Sequence, residues 1–160
     1  MLRKIISGGQ TGADQGGLLA GEALGLKTGG TAPPKFMTEN GPMPNYLKQF
    51  GLIEGEKDPS TFKKRTIKNI EDSDGTVIFM EIPSPGSQMT IIECKKRNKP
   101  SLLNPTSEQL RVWTEKIGIK ILNVAGNRRS KAPRLEMYTF GIIFWAFYIR
   151  RDLKVEDDQN

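Results

Sequence analysis

Histidine is absent from the chain and cysteine occurs once, which excludes several kinds of site. Histidine is the commonest general base near neutral pH and the commonest zinc ligand, so a transition-metal hydrolase is not expected. A single thiol, Cys94, can form neither an internal disulfide nor a multi-thiol metal site. The sequence therefore predicts no structural metal and favours a reducing compartment.

Long apolar segments are missing as well. No run reaches about 18 consecutive apolar residues, the length that a membrane-spanning helix needs. The N-terminal residues also lack the order of basic, apolar and small residues that marks a signal peptide. We therefore expect a cytoplasmic protein with no membrane partner. Its 160 residues, 36% hydrophobic and 26% charged, favour one globular domain over residues 1–160.

Positive charge exceeds negative charge, because 24 Lys and Arg residues face 18 Asp and Glu residues and leave a net charge of +6. Such an excess is compatible with an anionic partner. The basic groups are scattered and are not interleaved with aromatic residues, so most are expected to be solvated and nucleic acid is the least favoured partner. They lie at residues 63–65, 95–97, 128–131 and 150–151.

Apolar segments and helical patterns alternate five times along the chain. The alternation predicts an α/β fold: a Rossmann-like, doubly wound, mainly parallel sheet of about five strands with helices on both faces. Residues 35–60, rich in Pro and Gly, are expected to form a long loop, residues 83–88 a turn, and residues 155–160 a flexible acidic tail. The predicted strands are 3–7, 25–31, 75–82, 100–104 and 119–125, and the predicted helices are 11–24, 58–72, 89–97, 107–117 and 133–153.

The strongest functional signal is the glycine-rich segment 7–17, between the first strand and the first helix. The first turn of a helix presents unpaired N–H groups and attracts anions, and glycines let a phosphate approach the backbone. A tight turn without a ligand is the alternative. Asp14 has two interpretations, an interaction with the helix dipole or a contact to a ribose hydroxyl or base. The predicted ligand contacts here are Gly8, Gly9, Gln10, Thr11, Gly12 and Asp14.

Two known phosphate-binding templates do not fit this segment. The P-loop requires a lysine and then Ser or Thr after its last glycine, but Ala13 and Asp14 follow Gly12. The dinucleotide fingerprint is met only with Ser7 in place of its first glycine, and the acidic residue expected after the second strand is missing. NAD is therefore not expected.

A second run of small residues leads into the helix predicted from residue 89. Gly86, Ser87 and Thr90 are candidate ligand contacts there, and Glu93 falls one turn beyond Thr90. An ordinary turn capped by Ser87 is the other interpretation.

Polar residues near other strands complete the candidate site. Asn69 and Asp74 precede the third strand, although Asp74 and the glycine after it also favour a simple turn. Gly126 closes the fifth strand, and Arg128 or Arg129 could reach a phosphate, although a solvated arginine is the more ordinary case.

The last predicted helix has apolar residues on nearly every side. One sheet can cover only one side of such a helix, so the pattern predicts a homo-oligomer formed through the C-terminal helix. The apolar residues are Phe140, Ile142, Ile143, Phe144, Trp145, Phe147, Tyr148 and Ile149.

Three of these segments resemble the molybdenum cofactor carrier proteins, a branch of the Rossmann-like group that includes the Lonely Guy phosphoribohydrolases, once called lysine decarboxylases. They are residues 7–14, Asn69 with 72–76, and 122–126, and the resemblance runs almost end to end. It implies a Rossmann-like fold, self-association, and binding of a phosphorylated pterin or nucleotide-like ligand. The molybdenum cofactor (molybdopterin) is the implied cargo.

The same resemblance leaves an enzyme as the alternative. The phosphoribohydrolase motif Pro-Gly-Gly-x-Gly-Thr-x-x-Glu is matched at Pro85, Gly86, Thr90 and Glu93, but Ser87 and Met89 replace two glycines. No counterpart of those enzymes' catalytic arginine can be placed. A nucleoside-monophosphate phosphoribohydrolase, with Glu93 assisting the attack of water, is therefore weighed below a carrier.

Overall fold

The computed structural model describes residues 1–57 and 60–157, and only the backbone of Thr61 and of residues 149–157. Within this part of the chain, strands and helices alternate as the sequence predicts. The strands are β1 (Lys4–Ser7), β2 (Lys27–Ala32), β3 (Met37–Thr38), β4 (Gly41–Pro42), β5 (Leu52–Glu54), β6 (Gly75–Phe79), β7 (Ser101–Leu103) and β8 (Ile121–Gly126). The helices are α1 (Ala13–Ala23), α2 (Pro44–Gln49), α3 (Thr61–Glu71), α4 (Pro85–Lys96), α5 (Ser107–Ile117) and α6 (Leu135–Asp157).

Six strands form one sheet in the order β5-β2-β1-β8-β6-β7, and all five neighbouring pairs are parallel. The predicted α/β, Rossmann-like fold is confirmed, with one strand more than expected. The chain builds outward from β1 through β2 to β5, then crosses to β6 and β7 and returns with β8 between β1 and β6. A crevice is expected at such a reversal, beyond the carboxyl ends of the strands.

The interior strand β6, between β8 and β7, shows that the sheet is covered on both faces. All five of its residues are buried, as in a parallel strand between two helical layers. Val77 belongs to a core cluster with residues of α1, α5 and α6. Thr76, on the opposite face, receives a hydrogen bond from Asn123 of β8 and lies by Cys94 of α4. Helices α3 and α4 therefore cover the second face.

The segment predicted as a long loop instead contains short elements. It forms a helical turn at Pro34–Phe36, the hairpin β3–β4, helix α2 and the added strand β5. Its aromatic and aliphatic residues pack against α1 in a second apolar cluster, so isolated hydrophobic residues without periodicity still specify a folded segment. The buried members of that cluster are Leu18, Ala32, Phe36, Leu47, Phe50 and Leu52.

Helix α4 begins one turn earlier than predicted, so the expected turn at 83–88 is wrong. Ser84 is the N-cap residue, its hydroxyl accepts a hydrogen bond from the Ser87 N–H at 3.3 Å, and Pro85 occupies the first helical position. Proline suits this position because the first N–H groups of a helix have no intrahelical partner. Ser87 is therefore not the cap.

The predicted start of α3 and the predicted C-terminal tail both include residues that the structure does not describe. The expected start of α3 at 58–59 lies outside the described residues, and the described helix begins at Thr61. Of the predicted tail, residues 155–157 belong to α6 and residues 158–160 lie outside the described part. Among the described helices, none combines the length and the apolar character needed to cross a bilayer.

Candidate functional site

A cavity of about 220 Å³ lies at the carboxyl edge of the sheet. The loops after β1, β6 and β8 and one face of α3 form its walls. It brings together eight of the twelve residues predicted to bind a ligand: Gly8, Gln10, Asp14, Asn69, Gly86, Ser87, Thr90 and Gly126.

Helix α3 supplies one wall of the cavity through residues spaced at i, i+3, i+4 and i+7, which share one face of a helix. They are Phe62, Arg65, Thr66 and Asn69. Only Asn69 was predicted. The spacing from Asn69 back to Arg65 was a usable signal, but Arg65 stands in a run of three basic residues that is more typical of a solvated face.

The cavity has an excess of positive charge. Arg65, Arg128 and Lys131 line it, and Asp14 is the acidic residue among the described lining residues. The Arg65 side chain is 14% exposed, and its Nε atom is buried with no hydrogen-bond partner among the described residues. A buried N–H donor without a partner is costly, so this atom is suited to an acceptor from outside the chain.

Gly8 makes room for Arg65. A Cβ atom built on Gly8 would overlap the Nη1 atom of the Arg65 guanidinium. The missing side chain therefore allows a cation to lie against the glycine-rich loop, whereas the sequence predicted direct approach of a phosphate.

The Asp14 carboxylate is hydrogen bonded to backbone N–H groups of the glycine-rich loop. It accepts hydrogen bonds from the N–H groups of Gln10, at 3.2 Å, and Gly8, and its Oδ2 lies 3.5 Å from Arg65 Nη1. Burial raises the pKa of Asp14 to about 6, against the opposing effects of Arg65 and the two N–H donors. In the free protein Asp14 is thus an internal anion held by the loop.

Three other N–H groups around the start of α1 are occupied as well. The Thr11 N–H donates to Gln10 Oε1 at 3.0 Å, and the Gly12 N–H donates to Glu136 Oε2 at 3.3 Å. The Ala13 N–H donates to the Asn127 carbonyl at 3.1 Å. For these donors the expectation of unpaired N–H groups is therefore wrong, because buried N–H groups are paired with acceptors that the chain itself supplies. The cavity beside them remains open.

Gly9, Thr11 and Gly12 do not line this cavity. Gly9 faces Leu47 and Leu52, and Gly12 has a φ of +84° and lies so close to the Asn127 carbonyl that a Cβ would overlap it. These glycines serve the packing of the loop against its neighbours, where only glycine combines this φ with such a close approach.

Thr11 belongs to a network that joins three loops. Its hydroxyl donates to Glu39 of the β3–β4 hairpin and accepts from the Arg129 N–H at 3.2 Å. Glu39 also accepts from the Ser130 N–H at 3.0 Å. Burial raises the pKa of Glu39, but the hydrogen bonds from Ser130 and Thr11 outweigh it and leave the pKa below its usual value. Glu39 therefore holds these loops together as a carboxylate.

Asn127, just after β8, fixes the loop that leads into α4. Its Oδ1 accepts from the N–H groups of Glu81, at 2.8 Å, and Ile82, at 3.1 Å. Its Nδ2 donates to Ser84 Oγ at 3.1 Å. The loop ends at Ser84, and an added Cβ on Gly86, in the first turn of α4, would have nothing within 4 Å. The first turn of α4 therefore presents its backbone to the cavity.

Glu93, the candidate catalytic residue, is not among the residues that line the cavity. Its side chain is 4% exposed, pairs with Arg97, and has the amines of Lys63 and Lys96 within 3.7 Å. Burial raises the pKa of Glu93, but Arg97 and the two lysines outweigh it, so the pKa lies below its ordinary value. This carboxylate has no place beside a ligand in the cavity.

Asp74 lies at the opposite edge of the sheet, where its carboxylate accepts from the N–H groups of Lys120, at 2.9 Å, and Ile121, at 2.8 Å. The turn interpretation therefore describes Asp74 better than the ligand interpretation. Asn69 lines the cavity, but its side-chain amide is hydrogen bonded to the Thr31 N–H at 2.8 Å and the Thr31 carbonyl at 3.0 Å. It positions the end of β2.

Comparison with known proteins gives two matches of wide coverage. Residues 5–144 match the model of a family described as the circularly permutated YpsA SLOG family. The chain is also similar to a crystal structure named "Putative molybdenum carrier protein" from Syntrophus aciditrophicus, with 34% sequence identity and a TM-score of 0.77. That match covers 89% of this chain and 94% of the other. None of the curated proteins matches.

Proposed function

This chain belongs to the circularly permutated YpsA family of SLOG proteins, and on that premise we propose that it binds and carries a phosphorylated pterin or nucleotide-like ligand. The relative from Syntrophus aciditrophicus, which is named as a molybdenum carrier, supports molybdenum cofactor as the cargo.

The observation that carries the proposal is the charge of the cavity. Arg65, Arg128 and Lys131 line the cavity together with one buried carboxylate, so a phosphate with two negative charges is attracted there. A planar guanidinium can bind two phosphate oxygens at once, and Arg65 has a buried Nε without a partner among the described residues. We assign the ligand's phosphate to this group of cations.

The two small-residue loops contribute in different ways to the proposed site. The first holds Asp14 on its N–H groups and leaves space at Gly8 for Arg65. The second places the start of α4, at Gly86 and Ser87, in the wall of the cavity, where the partial positive charge of a helix N-terminus adds to that of the cations. Phosphate recognition in this proposal therefore depends on side chains at least as much as on the glycine backbone.

Binding without hydrolysis fits this site better than N-glycosidic cleavage. The glutamate that would assist water attack is paired with Arg97, away from the cavity walls. Asp14, the carboxylate in the cavity, is itself engaged by the loop and by Arg65. We therefore expect no release of base from nucleoside monophosphates, as measured by chromatography of the products.

The test is isothermal titration calorimetry and thermal shift with molybdenum cofactor, GMP and AMP. We expect stabilisation of the wild type, and Arg65→Ala to weaken binding by about tenfold or more, as for the loss of a charged hydrogen bond. Arg65→Lys, which keeps the charge near Asp14, separates lost contacts from misfolding. Arg111→Ala, on α5 and outside the cavity, is the control. No stabilisation by any ligand at millimolar concentration would contradict the proposal.

We further propose that the protein self-associates through α6. Met137, Tyr138, Trp145 and Tyr148 of this helix are each at least 40% exposed, although the other side of the helix is packed into the core. Large exposed apolar patches are typical of interaction surfaces.

A further inference from the structure

Phe62 stands at the mouth of the cavity. It lines the cavity together with Arg65 and Asn69 of the same helix face, yet it is 56% exposed. Exposure rises along that face from Asn69, at 2%, through the Arg65 side chain, at 14%, to Phe62. The face thus runs from a buried polar end, past a cation, to an aromatic ring in solvent.

The volume of the cavity indicates that a bound ligand would reach the Phe62 ring. About 220 Å³ is below the roughly 300 Å³ at the lower end for pockets that enclose a whole small ligand. A ligand whose phosphate reaches Arg65 therefore extends toward the mouth. Phe62 is the aromatic side chain among the described residues that line the cavity, and it lies one helical turn from Arg65.

We propose that Phe62 is a specificity-determining residue that stacks on the planar heterocycle of the ligand, a purine or a pterin, while the ligand's phosphate pairs with Arg65. This inference rests on the proposed function and adds to it the ring class and the direction in which the ligand lies. Aromatic side chains stack on any base because every base has a π face. The ring therefore selects a planar heterocycle over a sugar phosphate without selecting one base.

The experiment compares ligands with and without a ring on the full chain. Calorimetry gives the Kd of GMP, ribose 5-phosphate and inorganic phosphate for the wild type and for Phe62→Ala, Phe62→Leu and Phe62→Trp. Ile92→Ala removes a similarly exposed apolar side chain of α4 outside the cavity and is the matched control.

We expect Phe62→Ala and Phe62→Leu to weaken GMP binding by about tenfold, the usual effect of removing one base–aromatic stack, and to leave ribose 5-phosphate unchanged. Phe62→Trp keeps GMP binding, and its added indole fluorescence is quenched by GMP and not by ribose 5-phosphate. Ile92→Ala binds like the wild type.

Two negative results are distinguishable. If GMP and ribose 5-phosphate bind the wild type equally well, or if Phe62→Ala weakens both by the same factor, the stacking inference is overturned while phosphate binding stands. If neither GMP nor ribose 5-phosphate nor phosphate binds the wild type, the proposed function and the inference both fail.

Discussion

Gly8 and Arg65 show how a single missing side chain can shape a site. The guanidinium fills the space that a Cβ on Gly8 would take, so any larger residue must push Arg65 away. Because a long flexible side chain can move at low cost, the change affects the position of the cation much more than the stability of the fold.

Gly8→Ala should therefore weaken GMP binding by about tenfold or more, since a displaced guanidinium loses its charged hydrogen bonds to phosphate. The free energy of unfolding should change by less than about 1 kcal/mol, within the range of ordinary substitutions. Calorimetry and urea denaturation measure the two effects. Gly141→Ala, in α6 with nothing within 4 Å of the added Cβ, is the control and should leave binding unchanged. Normal GMP binding by Gly8→Ala would show that the position of Arg65 does not matter.

Asp14 makes stability depend on pH in an unusual direction for a carboxylate. Its pKa is raised by burial from 3.8 to about 6, so the folded state holds the proton more tightly than the unfolded chain does. The stabilisation from this proton is fully present below pH 3.8 and is lost as the pH rises through about 6. Above that pH, the fold carries the cost of a buried ionised group, offset in part by Arg65.

The measurement is the free energy of unfolding by urea between pH 4 and 7.5, for the wild type and Asp14→Asn. The wild type should lose about 2 kcal/mol relative to Asp14→Asn over this interval, because most of the shift of about two pKa units, at about 1.4 kcal/mol each, falls between these pH values. Taking the difference between the two proteins removes the titration of the other carboxylates. Parallel curves for the two proteins would mean that Asp14 ionises as it does in the unfolded chain.

At the scale of elements, Asn127 ties the end of β8 to the loop between β6 and α4. Its Oδ1 is the acceptor for two successive backbone N–H groups, those of Glu81 and Ile82. Asn127 is 1% exposed, so water cannot easily replace the side chain. The position of the start of α4 thus depends on the side-chain amide of Asn127, which lies just after β8.

Asn127→Ala should lower the free energy of unfolding by about 1–2 kcal/mol, because it leaves two partly buried N–H groups without an acceptor. Hydrogen exchange of the amides at residues 81–88 should accelerate more than exchange in β1 or β2, since the loop opens locally. Asn127→Asp keeps the acceptor and should protect these amides better than alanine does. Equal acceleration across the sheet would argue against a local role.

The elements that could be predicted from sequence are those with a continuous pattern. The apolar run of β6 predicts only a buried strand, and the periodic residues of α5 predict only a helix. Together with the glycine turn after β1, these elements define the carboxyl edge of the sheet. Eight predicted contacts lie in one cavity because that edge was placed correctly.

The elements that were missed depend on contacts distant in sequence. Strand β5 has three residues and is held by pairing with β2, and Phe36 and Phe50 are buried only because α1 lies beneath them. Arg65 lies at the site because Gly8 and Asp14 face it from another loop. The occupied N–H groups of the first loop have the same origin, since Glu136 of α6 reaches Gly12 across 124 positions.

At the scale of the whole molecule, the net charge of +6 is divided between two kinds of environment. Lys63, Lys96 and Arg97 surround Glu93 on the outer side of α3 and α4, whereas Arg65, Arg128 and Lys131 line the cavity. These six cations are thus either close to a carboxylate of the chain or gathered around one small site. This division favours a small anionic ligand over an extended nucleic acid, which needs a continuous basic surface.

The outer face of α6 carries several exposed apolar side chains. Trp145 is 57% exposed and forms an edge-to-face pair with Tyr148, their ring centroids 5.7 Å apart, while Ile143 and Ala146 on the inner face are almost fully buried. The helix is therefore already held by its inner face, and its aromatic outer face is free to contact a second copy. A symmetric pair places the same residues on both sides of the interface.

Analytical ultracentrifugation at micromolar concentration should show the wild type as a dimer or a larger oligomer, and Trp145→Glu as a monomer. A buried carboxylate at the centre of an apolar interface has no counter-charge and costs several kcal/mol, enough to dissociate a complex of ordinary size. Because Trp145 projects outward, the variant should unfold at nearly the wild-type urea concentration. Ile92→Glu, an exposed apolar position on α4, adds the same charge elsewhere and should stay associated. A monomeric wild type would contradict self-association. Association that survives Trp145→Glu would show that the subunits contact each other through another surface.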